Sequence, residues 1–129
     1  MTSTARLPPE HGIAHLRHQG ADVQTVPERS YNGLRLALAL AKVEGTNVRV
    51  FLMGDAIGCA KRDQKTSDGY YNLERMIKGL TAKAIPVSVC GTCMDARGYT
   101  EAELTDGVHR SSMVELSAWT LDCERVLVF

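Results

Sequence analysis

NVRVFLMG (Asn47–Gly54) is a short apolar run, rich in β-branched residues and ended by Gly-Asp, the pattern of a strand buried on both faces of a parallel sheet. The next regular segment changes period. In GYYNLERMIKGLTAKAIP, Leu73, Met76, Ile77, Leu80 and Ala84 recur at helical spacing, Glu74 and Lys78 stand at i,i+4, and Pro86 stops the helix. PVSVCG follows as a second buried strand. Upstream, ERSYNGLRLALALAKVEG carries Leu36, Ala39, Leu40 and Val43 on one stripe and Leu34, Leu38 and Ala41 on another, ending at Gly45. Such a two-sided helix predicts cover on both sides.

Further along, Thr100 with Glu103 and Ser112 with Glu115 have capping-box spacing, each ahead of a helical pattern. The second of these helices, about Ser112 to Cys123, leads into RVLVF as a terminal strand. Alternating helices and strands predict right-handed βαβ units, hence an α/β three-layer sandwich: a mostly parallel sheet with helices on both faces. Sites in such sheets form at the carboxyl ends of strands, near a topological switch point. Two loops there carry thiols, GDAIGCAKR with Cys59 and CGTCMDARG with Cys90 and Cys93.

Composition narrows the function classes. A single domain of 129 residues buries roughly two thirds of its unfolded surface, enough for a core without staples. Fifteen Lys plus Arg balance fifteen Asp plus Glu, and no block of like charge suits a phosphate backbone, which argues against nucleic acid as a partner. No apolar run approaches the ~20 residues of a membrane span, and Met1 to Gly20 carries charges and histidines where a secretory segment would be apolar. The chain therefore reads as soluble and cytoplasmic. Its four cysteines are then expected as reduced thiols that are catalytic, metal-binding or buried. No G-x-G-x-x-G, Walker or G-x-S-x-G sequence appears, so no nucleotide or other cofactor is expected.

From ERSYNGLRLALALA through VRVFLMGDAIGCA, YYNLERMIKGL and CGTCMDARG to RSSMVELSAWTLDCERVLVF, the chain resembles the DsrE/DsrF-like (YchN-like) family over about Glu28 to Phe129. The resemblance implies a small three-layer α/β domain assembling as a homotrimer or hexamer, or in mixed complexes. It also implies sulfur-relay chemistry, in which a cysteine carries sulfur as a persulfide between a donor and an acceptor protein. The family's carrier cysteine ends a strand in a C-x7-G arrangement, and Cys90 and Gly98 stand in that relation.

The N-terminus departs from the family pattern. Where relatives begin with an apolar strand, residues 1–27 form an atypical segment ahead of the domain at 28–129, with ADVQTV (Ala21 to Val26) its only strand-like piece. Loss of a central strand would expose two ladders of backbone groups, so some substitute is expected. Pro8-Pro9-Glu10 predicts a short helix ending before Gly20, on which His11, His15 and His18 fall near one face with divalent-metal spacing; a polar, frayed terminus is the simpler reading.

Cys90 has a case from chemistry alone. A thiolate attacks sulfane sulfur, and its pKa falls beside amides or cations. A helix starting near Thr92 would aim amides at the sulfur; Arg97 would add positive charge and Asp95 oppose it. Cys93 is placed to resolve a persulfide or mixed disulfide. Cys59 reaches the same end of the sheet, where it would assist, pack in a Gly-rich turn, or join Cys90 and Cys93 as a metal or redox site with Asp55, a histidine or water as fourth ligand. The bland alternative is an oligomeric scaffold with incidental thiols. Cys123, before the last strand and at the opposite end of the sheet, reads as structural. Trp119 and Met113 read as core or subunit interface, and His109 and Arg110 as a solvated helix entry, or as the border of a neighbour's site in an oligomer.

Overall fold

Strands β1 (His11–His18), β2 (Asn47–Gly54), β3 (Val87–Cys90), β4 (Val108–Ser111) and β5 (Arg125–Val128) form one parallel sheet of order β4-β3-β2-β1-β5. This is a computed structural model, and it describes residues 11–18, 28–65 and 72–129. Helices α1 (Glu28–Ala41), α2 (Leu73–Thr81), α3 (Gly91–Arg97) and α4 (Met113–Asp122) connect the strands. The first three crossovers step in one direction across the sheet and the last returns to the far edge. With crossovers of one hand, α4 must then lie on the face opposite α1 and α2.

The side chains obey this division. Val48, Val50, Leu52, Val87 and Val89 pack with Leu34 and Ala37 of α1 and Leu73, Ile77 and Leu80 of α2. One residue out of phase, Phe51 and Cys90 face the other way and pack with Leu116 and Trp119 of α4. Two buried faces explain why β2 and β3 read as continuous apolar runs. α4 is tied across the sheet by Arg49, which pairs with Asp122 at 2.8 Å and lies over the Trp119 ring. In α1, Leu34 and Ala37 are fully buried whereas Ala39 is exposed, and Val43, which the spacing assigned to the same stripe, lies beyond the helix end and is 55% exposed, so the second stripe is the less covered of the two.

The N-terminal expectation is corrected. The substitute strand is HGIAHLRH, an interior strand that pairs with β2 over eight residues and with β5 over four. A strand's period of two replaces the helix on which the shared face of His11, His15 and His18 rested. Ala21 to Val26 lies outside the described residues. His109 and Arg110, expected at a solvated helix entry, instead lie exposed on β4, VHRS, an edge strand. The Thr100–Glu103 capping box forms but caps a single 3-10 turn, Glu101–Glu103.

A buried carboxylate secures the loop after Cys59. Glu74 is 7% exposed, accepts the N–H groups of Asp63 (3.0 Å) and Gln64 (2.9 Å), and pairs with Lys78 at 3.2 Å. It thereby holds Asp63, whose φ of 62° lies in the left-handed region. Burial raises the Glu74 pKa, but the two N–H groups and Lys78 outweigh it and leave the carboxyl below its ordinary 4.5. With the folded pKa lowered, the stabilisation is fully present above the ordinary value and is lost as pH falls through the folded one. Glu74→Gln is therefore expected to cost about 1–2 kcal/mol at pH 7, with the gap to wild type closing as pH falls from 5 to 3. Thermal melts across that range check it; a gap independent of pH would remove the carboxylate from the account.

Candidate functional site

Cys90 ends β3 and stands at the N-cap of α3, so one residue belongs both to a rigid strand and to a helix start. Its side chain lies on the α4 face among Phe51 and Leu116, with Met53, Cys93 and Trp119 beside them, and is 2% exposed. Cys90 Sγ lies 3.2 Å from the Thr92 hydroxyl oxygen. Burial raises the thiol's pKa. The Thr92 hydroxyl, the Cys93 thiol and then the N–H groups of Cys93 and Thr92 outweigh it, so Cys90 falls below the ordinary thiol value.

Cys93 is half-buried one helical turn on. The Gly54 N–H donates to its sulfur at 3.2 Å, a contact made where β2 turns at a glycine with φ of 61°. Burial and the hydrogen-bonded Cys90 sulfur raise its pKa, the latter also by charge, while the Gly54 amide and Arg97 oppose them. Of the two thiols, Cys90 is thus the easier to ionise. Arg97 bridges to Asp55 at 2.7 Å and donates to the Cys93 carbonyl at 3.2 Å, fastening α3 to the end of β2. Asp55, expected as a metal ligand, is engaged by this arginine.

Cys59 does not join the pair. It sits in the 3-10 turn Asp55–Ala60, 4% exposed, within the core cluster on the α1 and α2 side. Burial pushes its thiol up to about 11, outweighing the opposing effect of the nearby Ser30 hydroxyl. Among the described residues no group of three or more His, Cys, Asp or Glu is placed to hold a metal ion. Cys123 caps the C-terminus of α4 and is 6% exposed, its thiol raised by burial, in keeping with a structural place.

Two features escaped sequence reasoning. The first is Glu115: the capping-box partner expected for Ser112 instead accepts the Ser88 hydroxyl at 2.5 Å and the Ser111 hydroxyl at 2.9 Å. Ser88 precedes Cys90 by two on the same face of β3, and Ser111 is the partner of Cys90 across to β4, so Glu115 joins α4 to both strands beside the thiol. The second is Arg110, which crosses the first turn of α3 and makes a two-pronged bridge to Asp95 at 2.9 and 2.8 Å. The signal for it was Gly91: a Cβ there would meet Arg110 Nε at 2.9 Å and the Ser111 carbonyl at 3.0 Å. The strand order reverses between β1 and β5, whereas the thiols lie at the ends of β2 and β3, so the site is not at the switch point.

Residues 20–129 match the model of the DsrE/DsrF-like family. Protein YchN of Escherichia coli K12 is 45% identical over 103 residues, covering 79% of this chain and 87% of that one. An uncharacterised protein of Methanopyrus kandleri is 33% identical over 119 residues, 86% of this chain and 97% of its own. The crystal structure of the E. coli YchN protein superposes with a TM-score of 0.81 at 39% identity, covering 92% of this chain and 99% of that one. A protein of unknown function from Methanobacterium thermoautotrophicum shares the fold alone, with a TM-score of 0.65 at 16% identity over 91% of this chain and 96% of that one.

Proposed function

The chain belongs to the DsrE/DsrF-like family, and on that premise we propose that Cys90 accepts sulfane sulfur as a persulfide and passes it to a partner. The observation that carries this reading is the placement of Cys90 at a strand end, hydrogen-bonded to Thr92 with Cys93 alongside, which favours its thiolate. In the uptake step the Cys90 thiolate attacks the outer sulfur of a donor persulfide, R–S–S⁻. The new S–S bond forms on Cys90, the donor bond breaks, and R–S⁻ leaves; no net oxidation occurs. In release, an acceptor thiolate takes the outer sulfur. Alternatively, Cys93 attacks Cys90 Sγ, forming a Cys90–Cys93 disulfide and expelling HS⁻, and a dithiol reductant restores the pair.

Cys90 and Cys93 carry the roles; the burial and raised pKa of Cys59 leave it without a direct one. A thiol-ligated metal centre on Cys59, Cys90 and Cys93 finds less support, since Cys59 packs in a different cluster from Cys90. The working form we propose is a homotrimer or hexamer in a reducing, cytoplasmic setting. Support comes from Met113, Val114 and Leu121 of α4, which are 49%, 80% and 85% exposed and would be covered by another copy. No helix among the described residues is long and apolar enough to cross a membrane.

Mass spectrometry after exposure to inorganic polysulfide tests the assignment. A gain of about 32 Da on Cys90 is expected in wild type and in Cys93→Ser, with slower sulfide release in the latter, and no such gain in Cys90→Ser. An adduct spread over all four cysteines, or none, would refute the carrier role.

A further inference from the structure

We infer that Arg110 selects an anionic sulfur species for Cys90, an assignment that rests on the reading of Cys90 as sulfur acceptor and names the charge class of its donor. Arg110 belongs to β4, one residue before Ser111, the partner of Cys90 across the β3–β4 ladder. Its side chain doubles back over Gly91, the residue after Cys90, so closely that a Cβ there would stand 2.9 Å from Nε and 3.0 Å from Cζ. Glycine at this position leaves room for a guanidinium against the chain one residue after Cys90. Asp95 of α3 takes one N–H from each terminal nitrogen. A guanidinium has five N–H donors, so three remain for a second anion.

The ladder and the close approach to Gly91 put this cation near Cys90, and the surrounding charges agree. Arg110's pKa is raised by the Asp95 hydrogen bonds first, against some desolvation, and then by the charges of Asp95, Glu101 and Cys90, so the Cys90 thiolate lies within its field. Arg110 also borders an open cleft along α4 with Ser111, Ser112, Glu115 and Trp119. Glu115, the carboxylate of that cleft, is occupied by the Ser88 and Ser111 hydroxyls. Arg97 is held at the end of β2 by Asp55 and the Cys93 carbonyl, where its charge acts on Cys93.

The chemistry needs such a group. Persulfides and polysulfides are anions near neutral pH, so uptake brings a negative donor against a negative thiolate, and a cation beside the meeting point offsets their repulsion. The balanced step is unchanged: Cys90–S⁻ and R–S–S⁻ give Cys90–S–S⁻ and R–S⁻. Arg110 contributes charge and orientation and exchanges no atom. A neutral donor would gain nothing from it.

The test compares two alkylating probes of like size and unlike charge, iodoacetate and iodoacetamide, at Cys90 of the full chain. Site-resolved mass spectrometry at pH 7 and low salt gives each rate in a Cys93→Ser background. Arg110→Ala is expected to lower the iodoacetate-to-iodoacetamide rate ratio about three- to tenfold, Arg110→Lys to keep most of it, and added salt to compress the wild-type ratio. A ratio unchanged in Arg110→Ala, equal loss of both rates, or a Cys90 that neither probe reaches would overturn the assignment. The two readings fail separately: intact charge selectivity with no polysulfide adduct would sink the sulfur role, and an adduct with no selectivity would sink Arg110's part alone.

Discussion

In the folded chain at pH 7, Cys59 should react with iodoacetamide at least about a hundredfold more slowly than Cys90. Both thiols are almost fully buried, at 4% and 2% exposure, so access alone does not separate them. Their protonation does. With its pKa pushed up to about 11, Cys59 holds a thiolate fraction of only ~10⁻⁴ at pH 7, whereas a thiol below the ordinary 9.0 exceeds ~10⁻². The cause is local: Cys59 lies among Ala56, Ile57 and Ala60 with burial as its main influence, while Cys90 has a hydroxyl, a thiol and two amides to stabilise its charge. Quenched alkylation followed by peptide mass spectrometry measures both rates at once, and the gap should close in urea, where the two thiols meet the same solvent. Comparable native rates would return Cys59 to the site and reopen the three-thiol metal reading.

How far the sequence could be read depends on burial. β2 and β3 announce themselves because both faces are covered, so every position is apolar. α2 does so because Leu73, Ile77 and Leu80 form an apolar stripe at helical spacing, although the helix ends at Thr81, with Ala84 at a φ of 59°, rather than running to Pro86. β1 does not: HGIAHLRH has charged and polar residues, lies outside the span matched by the family model, and acts as a strand through its pairing to β2 and β5. β4 is hidden for a related reason, since VHRS at a sheet edge has one ladder and little apolar burial. At the site, C-x-x-C spacing and a strand ending at Cys90 were legible, as was the helix start that follows. Arg110 over Gly91 and Glu115 against Ser88 were not, because each joins elements by tertiary register rather than by spacing along the chain. The three-thiol convergence failed for the same reason: both loops lie at the carboxyl end of the sheet, but the 3-10 turn Asp55–Ala60 folds Cys59 under α1 and α2, away from the α4 face.

That face supports the other large prediction. Phe51→Ala is expected to cost about 3–5 kcal/mol, a major fraction of the roughly 5–15 kcal/mol that holds a domain of this kind folded. Phe51 is fully buried, meets Trp119 edge-on at 6.1 Å between ring centres, and shares its cluster with Leu116 and Cys90. This second cluster is small, so there are few neighbours to close the void, and the cost should fall toward the upper part of the range. Phe51→Leu keeps most of the volume and should lose under about 1.5 kcal/mol, which separates packing from the ring contact. Urea unfolding with an unchanged slope gives the stability; a loss below ~1 kcal/mol for the alanine variant would mean that α4 is held by Arg49 and its partners rather than by this core. The void would open beside the Cys90 sulfur, so faster iodoacetamide capture of Cys90 in Phe51→Ala, at a urea concentration well below its midpoint, is the expected companion result. The same residues that fasten α4 to the sheet thereby set how much room a sulfur atom on Cys90 finds.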